Sequence, residues 1–396
     1  MGLAKSNQIV YKITRIHRKH PWIRIYLLTL LVLIIWGNIS TRKFLFTDYN
    51  LQNAPELSYE NFAPGWASLG IIRAFLEPWQ RWDTNFYLQI AKEGYRISGF
   101  EVAFPPLYPM FIRLVGILLG GQYLLAALLI SWSALLGSCF LLEERFTRMT
   151  DQKMAYRGIR NLLIFPTAFF FFSAYTEALF LFLLLLAWRY ADREQWLFAG
   201  VVGALATMTR FMGIILVLPF GWIWLQNWRK NKSHSFIAIL LVPATYFGWG
   251  FLAKRIYHIQ PDMALSSGWA LQFEWPWRGL LGSVGMIFSH QVFEVFFVYL
   301  DVLAVAIAGL SIFWWLKKKA IPEVIFIFGV TTISLMKIGD SGILISTSRY
   351  VLPLFPMYLV LAAFGEKPRF DWMILSISII LCLLYSGLFF TWNWVA

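Results

Sequence analysis

"FPPLYPMFIRLVGILLGG", residues 104–121, is the stretch on which the topology of this chain turns. It is apolar enough to be counted as a membrane span, yet it carries Pro105, Pro106, Pro109 and Arg113. Proline removes backbone donors and breaks helices, and a span needs roughly 17–25 apolar residues. Counting the stretch, or not, reverses the side on which every later loop lies. The composition around it is that of a membrane protein. The 396 residues are 59% hydrophobic, 18% aromatic and 14% charged, with mean hydropathy +0.62, where a soluble domain carries about 25% charged residues.

A basic start (Lys5, Lys12, Arg15, Arg18, Lys19, Arg24) leads into "IYLLTLLVLIIWGNIS". No small-residue cleavage site precedes the next charges, so it reads as an uncleaved signal anchor with a cytoplasmic N-terminus. Further apolar runs fall near 121–142, 161–175, 177–190, 195–209, 211–227, 236–253, 292–316, 321–338, 350–365 and 372–391. They leave no room for a separate soluble domain. Residues 1–396 are expected to form one all-α polytopic membrane domain with about eleven transmembrane helices.

Charge decides how 104–121 is counted. If it is an interfacial helix, the loops "EERFTRMTDQKMAYRGIR", "RYADRE", "WRKNK", "KKK" and "EKPRF" share one side with the basic N-terminus. That side then holds most of the 34 lysines and arginines. Counting it as a span would move "WRKNK" and "KKK" outward, against the positive-inside bias. Residues 41–120 are therefore expected to be a long first extracytoplasmic loop carrying interfacial helices. The same distribution accounts for the net charge of +13, so nucleic acid is not expected as a partner. Cys139 and Cys382 both lie in apolar runs, which excludes a disulfide framework or a CxxC metal site.

Inside the loop lies "RWDTNFYLQIAKEGY", residues 81–95. Trp79, Trp82, Phe86 and Ile90 recur at spacings of three and four, with Arg81, Thr84, Asn85, Gln89 and Lys92 mostly opposite. That pattern predicts an amphipathic helix lying on the outer membrane surface. Asp83 and Tyr87 share an edge of the apolar stripe. Asp83 would then stand at the water–lipid boundary, placed to take a proton from an attacking hydroxyl. A surface pair with Arg81 or Lys92 fits the spacing equally well.

"RWDTNFYLQIAKEGY" followed by "AFPPLYPMFIRL" resembles the signature of the dolichyl-phosphate-mannose-dependent mannosyltransferases, specifically the family of the second GPI mannosyltransferase and its shorter prokaryotic relatives. "FPTAFFFFSAYTEALFLF" at 165–182, "ATMTRFMGI" at 206–214 and "SRYVLPLFPMYL" at 348–359 follow in order. One departure stands out: Arg210-Phe211-Met212-Gly213 occupies a position where the family commonly has Arg-Ser-Asn-Gly. The resemblance implies a GT-C fold and an inverting transfer of a hexose, mannose by family, from a polyprenyl- or dolichyl-phosphate sugar. The acceptor would be a hydroxyl of a glycolipid, glycan or protein. Asp83 would be the catalytic base, and Glu177 matches an acidic position beside the site. Glu177 also suits an N-terminal acid on the helix that starts there.

Arg210, Lys337 and Arg349 fall at outer ends of spans, where arginine binds phosphate bidentately or snorkels to headgroups. Together with Arg81, Trp82, Tyr87 and Tyr350 they complete the candidate substrate- and phosphate-binding set. Asp301 lies about mid-membrane, a functional position or a buried hydrogen bond to a neighbouring span. The loop 254–291, with Trp269, Trp275, Trp277 and His290, is expected either to cover the site or to form an interfacial belt. No GxGxxG, Walker loop or DxD occurs, as suits a donor delivered through the membrane; a divalent metal is left open. The compact length points to a prokaryotic plasma membrane, or to the endoplasmic reticulum in a eukaryote, with an extracytoplasmic active site. The alternative is a lipid-linked sugar transporter or flippase.

Overall fold

The computed structural model describes residues 19–43, 58–97, 99–228, 234–289 and 296–395. The charges at Lys5, Lys12, Arg15 and Arg18, most of "WRKNK" and His290 lie outside the described residues, as does the side chain of Trp269. The structure is helical almost throughout. Among the described residues six helices are long and apolar enough to cross a membrane: Trp22–Lys43, Tyr123–Met149, Phe211–Trp228, Phe236–Tyr257, Phe297–Lys317 and Pro368–Phe390. Shorter apolar helices, Leu107–Leu118, Trp196–Thr209, Ile321–Leu335 and Phe355–Phe364, pack among them. Leu27, Leu28, Leu31 and Ile35 on the first helix are exposed, the outward apolar face that a bilayer covers.

Two of the apolar runs are not single helices. In the run 161–175, the helix Gln152–Leu163 ends before Pro166, and only Phe169–Phe172 form a further turn. All four phenylalanines are buried. A segment apolar on every side suits lipid or a protein core alike, and periodicity does not separate them. Here it is core. The run 350–365 breaks at Pro353, between the short helix Thr347–Val351 and the helix Phe355–Phe364.

The stretch 104–121 forms the helix Leu107–Leu118, 12 residues long. At about 1.5 Å per residue that is some 18 Å, short of a bilayer core of about 30 Å. It folds back along only the first part of Tyr123–Met149. Tyr108 Oη donates to the Ala127 carbonyl at 3.1 Å and pairs with Ser131 Oγ at 2.9 Å, while Tyr123 packs at Gly116.

The other end of the helix Tyr123–Met149 carries an ion network. Arg145 donates to Asp192 and to Glu323, both at 2.6 Å, and lies over the rings of Trp188 and Phe355. Glu144 pairs with Arg189 and Arg193, and Arg160 is forked on Asp371. Segments that the charge distribution assigns to one side thus meet at one end of the bundle. Asp83 and its surroundings lie at the opposite end.

Candidate active site

The helix carrying the acid is Asp83–Glu93. Asp83 opens it, an acid at the positive end of the helix dipole, and Gly94 at φ 91° stops it. Trp82, just before it, is held at φ 50°, ψ −121°, a region an L residue rarely adopts without its surroundings enforcing it. The helix differs from the two-faced surface helix the pattern predicts. Thr84, Asn85 and Gln89, the supposed water face, are buried together with Tyr87, Leu88 and Ile90. Polar residues here face protein: Thr84 Oγ1 donates to the carbonyls of Trp79 and Ala174, and Gln80 bonds to Asn85.

Arg81 does not pair with Asp83. Its Nε donates to the Phe390 carbonyl at 2.8 Å and its Nη1 to the carbonyls of Glu77 and Gln80, with Trp392 under the guanidinium. A cation there satisfies a carbonyl at the C-terminus of the helix Pro368–Phe390. Trp82 packs edge-on against Trp392 and Trp394. Both residues therefore anchor the motif to the last helix.

Asp83 pairs instead with a residue 266 positions away: Arg349 Nη1 donates to its Oδ2 at 2.6 Å. The Nε of the same guanidinium donates to Glu177 Oε1, which also accepts from Arg210 Nη1. Arg210 further donates to Thr176 Oγ1 at 3.1 Å and lies over the Tyr350 ring. Lys337 donates to the Tyr350 hydroxyl. Arg349 in turn rests over Tyr175 and Phe170, and the Tyr175 hydroxyl accepts the Asp83 amide at 3.3 Å. Tyr87 borders the cluster, its hydroxyl 3.4 Å from Thr176 Oγ1. Burial opposes the charge on Arg349, but Glu177 and Asp83 outweigh it and raise its pKa above the ordinary arginine value.

Local structure explains how distant segments deliver these groups. Glu177 begins the helix Glu177–Asp192, and Arg210 is the extended residue that ends Trp196–Thr209. The chain then turns tightly back: a Cβ on Gly213 would lie 2.6 Å from the Thr207 backbone nitrogen, so only glycine lets the two segments touch. At the departure from the family pattern, Phe211 packs on Tyr246 and Met212 is buried. Lys337 is fixed by a two-residue strand, pairing with Phe273 of the loop that follows Tyr257. Trp275 and Trp277 of that loop stack on each other and are 65% and 59% exposed, the disposition of an interfacial belt.

Two acids and three cations thus meet in one buried cluster. Glu177 is fully enclosed, while the Asp83 side chain is 14% exposed. Among the described residues Lys337 has no carboxylate within ion-pair distance, and no group of three or more His, Cys, Asp or Glu side chains is placed to hold a metal ion. The arrangement offers an acceptor-only carboxylate beside an excess of positive charge.

Known proteins identify the class. The mannosyltransferase (PIG-V) family model matches residues 24–231, more than half of the chain and including Asp83, Glu177 and Arg210. The chain belongs to the PIG-V mannosyltransferase family. It is 28% identical over 180 residues to the GPI alpha-1,6-mannosyltransferase 2 of Rattus norvegicus. That match covers 42% of this chain and 35% of the relative, so the chain aligns with about a third of that protein's length. In fold it is similar to ArnT from Cupriavidus metallidurans, with a TM-score of 0.51 at 13% identity over 91% of this chain and 63% of that one. That structure is described as bound to undecaprenyl phosphate. Family membership and this neighbour agree with the all-α, GT-C type architecture expected from the sequence.

The cluster generates a stability prediction. Glu177→Gln leaves two arginines without the carboxylate they share, at a cost on the order of 3–5 kcal/mol, and the unfolding temperature in detergent falls. Asp83→Asn, at the accessible edge, changes that temperature little. Equal melting of Glu177→Gln and the parent would show that Glu177 does not hold the arginines together.

Proposed function

We propose that this chain is an integral-membrane glycosyltransferase that moves a hexose, mannose by family, from a polyprenyl-phosphate donor to an acceptor hydroxyl. The observation that carries the reading is the pairing of an accessible Asp83 with Arg349, within a cluster holding one cation more than it holds acids. Asp83 takes the proton of the attacking hydroxyl. The hydroxyl oxygen bonds to the anomeric carbon as the bond to phosphate breaks, with inversion, and the electron pair leaves on the phosphate oxygen. Arg349, Arg210 and Lys337 surround that developing charge, the stabilisation that counts most when charge appears in a dry site. Glu177 is the fixed counter-ion that keeps both arginines in place. Arg81 and Trp82 hold the motif rather than the phosphate, and Tyr87 and Tyr350 line the site.

The fold neighbour's lipid phosphate is of the class assigned here to the donor's carrier. The acceptor is a hydroxyl of a glycolipid, glycan or protein. The transporter alternative draws no support from the family or from the fold neighbour. Described loops rich in lysine and arginine gather at the end opposite Asp83, which by the positive-inside bias supports an extracytoplasmic site.

Asp83→Asn is expected to lower turnover of a polyprenyl-phosphate mannose by at least about 10²-fold while the protein stays folded, the usual worth of a positioned base. Parent-level turnover in the variant would remove Asp83 from the chemistry. Sidedness is open to a separate test with Cys139 and Cys382 replaced. A cysteine at Ile97, an exposed position beyond the Asp83 helix, is labelled by an impermeant thiol reagent in intact cells. One at Lys318 is labelled only after the membrane is opened. The reverse pattern would put the site on the cytoplasmic face.

A further inference from the structure

Asp301 is a fully buried carboxylate in the helix Phe296–Lys317, whose other residues up to Lys317 carry no charge. Enclosing a carboxylate among apolar side chains is costly unless a specific donor meets it. The donor is known: the backbone N–H of Ser348 reaches Asp301 Oδ1 at 2.7 Å. Ser348 is the second residue of the short helix Thr347–Val351, and Arg349 is the third. That helix is poorly equipped to hold itself. It has 5 residues, it starts after Ser346 at φ 61°, and Ser346 supplies no side-chain cap. Pro353 follows it after one residue, Leu352. A helix this short is not stable on its own backbone bonds, and its first N–H groups need acceptors from elsewhere.

We propose that Asp301 is a positioning residue for Arg349, capping the Arg349 helix from a neighbouring helix and so fixing the guanidinium that joins Asp83 to Glu177. The helix Phe296–Lys317 packs directly against Thr347–Val351. One backbone step separates the capped nitrogen from Arg349, whose side chain must serve two carboxylates at once. Losing the cap lets the short helix shift or unwind, and the guanidinium moves with it. The inference rests on the role assigned to Arg349 above and goes beyond it, because Asp301 touches neither Asp83 nor Glu177. What the cap requires is an acceptor oxygen, which asparagine also provides; a negative charge is not needed.

The test uses the full chain purified in detergent, with polyprenyl-phosphate mannose as donor and undecaprenyl phosphate as binding probe. Asp301→Ala is expected to lower kcat by about 10–100-fold, the effect of misplacing a site group by an ångström. Asp301→Asn restores turnover to within about threefold of the parent, since it keeps the hydrogen bond. Adding Asp301→Ala to Arg349→Lys costs little more than Arg349→Lys alone, because both act on one guanidinium. Fully multiplicative losses, or an Asn variant as impaired as Ala, would overturn the inference. If the Ala variant does not accumulate, Asn carries the test alone: a tenfold loss of turnover there sinks the cap. Thermal stabilisation by undecaprenyl phosphate separates this inference from the proposed reaction. A parent that is stabilised without turning over donor contradicts the reaction alone, and a stabilisation lost in Ala but kept in Asn still supports the cap. A parent-like Arg349→Lys, by contrast, contradicts the role of Arg349 and the inference with it.

Discussion

The guanidinium of Arg349 holds the site end of this molecule together. It donates through Nη1 to Asp83 and through Nε to Glu177. Three parts of the chain separated by 172 and 266 residues are thereby fixed to one another. A planar fork does this where a lysine cannot, because its donors point along two defined directions. The neighbours serve that geometry: Tyr175 and Phe170 form the surface under the guanidinium, and Asp301 holds the backbone from which it extends.

The charge of the cluster is as informative as its shape. Buried ions are tolerated when they are paired and hydrogen-bonded. Glu177 is shared by two arginines and Asp83 by one of them, while Lys337 has a tyrosine hydroxyl as its polar partner. One positive charge is left over, next to an acid that keeps some access. A donor carrying a phosphate diester would balance that charge. Once the sugar departs, the phosphate left behind carries more negative charge than before, and the same cations stabilise it better.

Much of this was legible in the sequence, and the rest fails for identifiable reasons. Composition and run length sufficed for a polytopic helical membrane protein. Prolines and loop charges argued against counting 104–121 as a span, and there the structure has a helix of 12 residues, Leu107–Leu118. Asp83, Glu177, Arg210, Lys337 and Arg349 were all candidates, and all five meet. Periodicity misled at Asp83–Glu93 because it reports amphipathicity, not whether the polar face meets water or buried backbone. It misled at 161–175 because a core and a bilayer select the same residues. Arg81 and Trp82 were candidates too, but their contacts with Phe390 and the terminal tryptophans were out of reach of sequence reasoning for another cause. Their role depends on the end of the last helix returning to the motif, a long-range contact with no local signal. Asp301 stood out as an acid about mid-membrane in an apolar run, but its partner is a backbone N–H, which no side-chain pattern reveals.

Whether the cations around Asp83 receive a lipid phosphate is decided by a structure of the full chain with undecaprenyl phosphate bound. Phosphate oxygens are expected within hydrogen-bond reach of Arg349 and Lys337, beside Asp83. A phosphate seated instead at the opposite end of the bundle, among Arg145, Arg148 and Arg189, would contradict this.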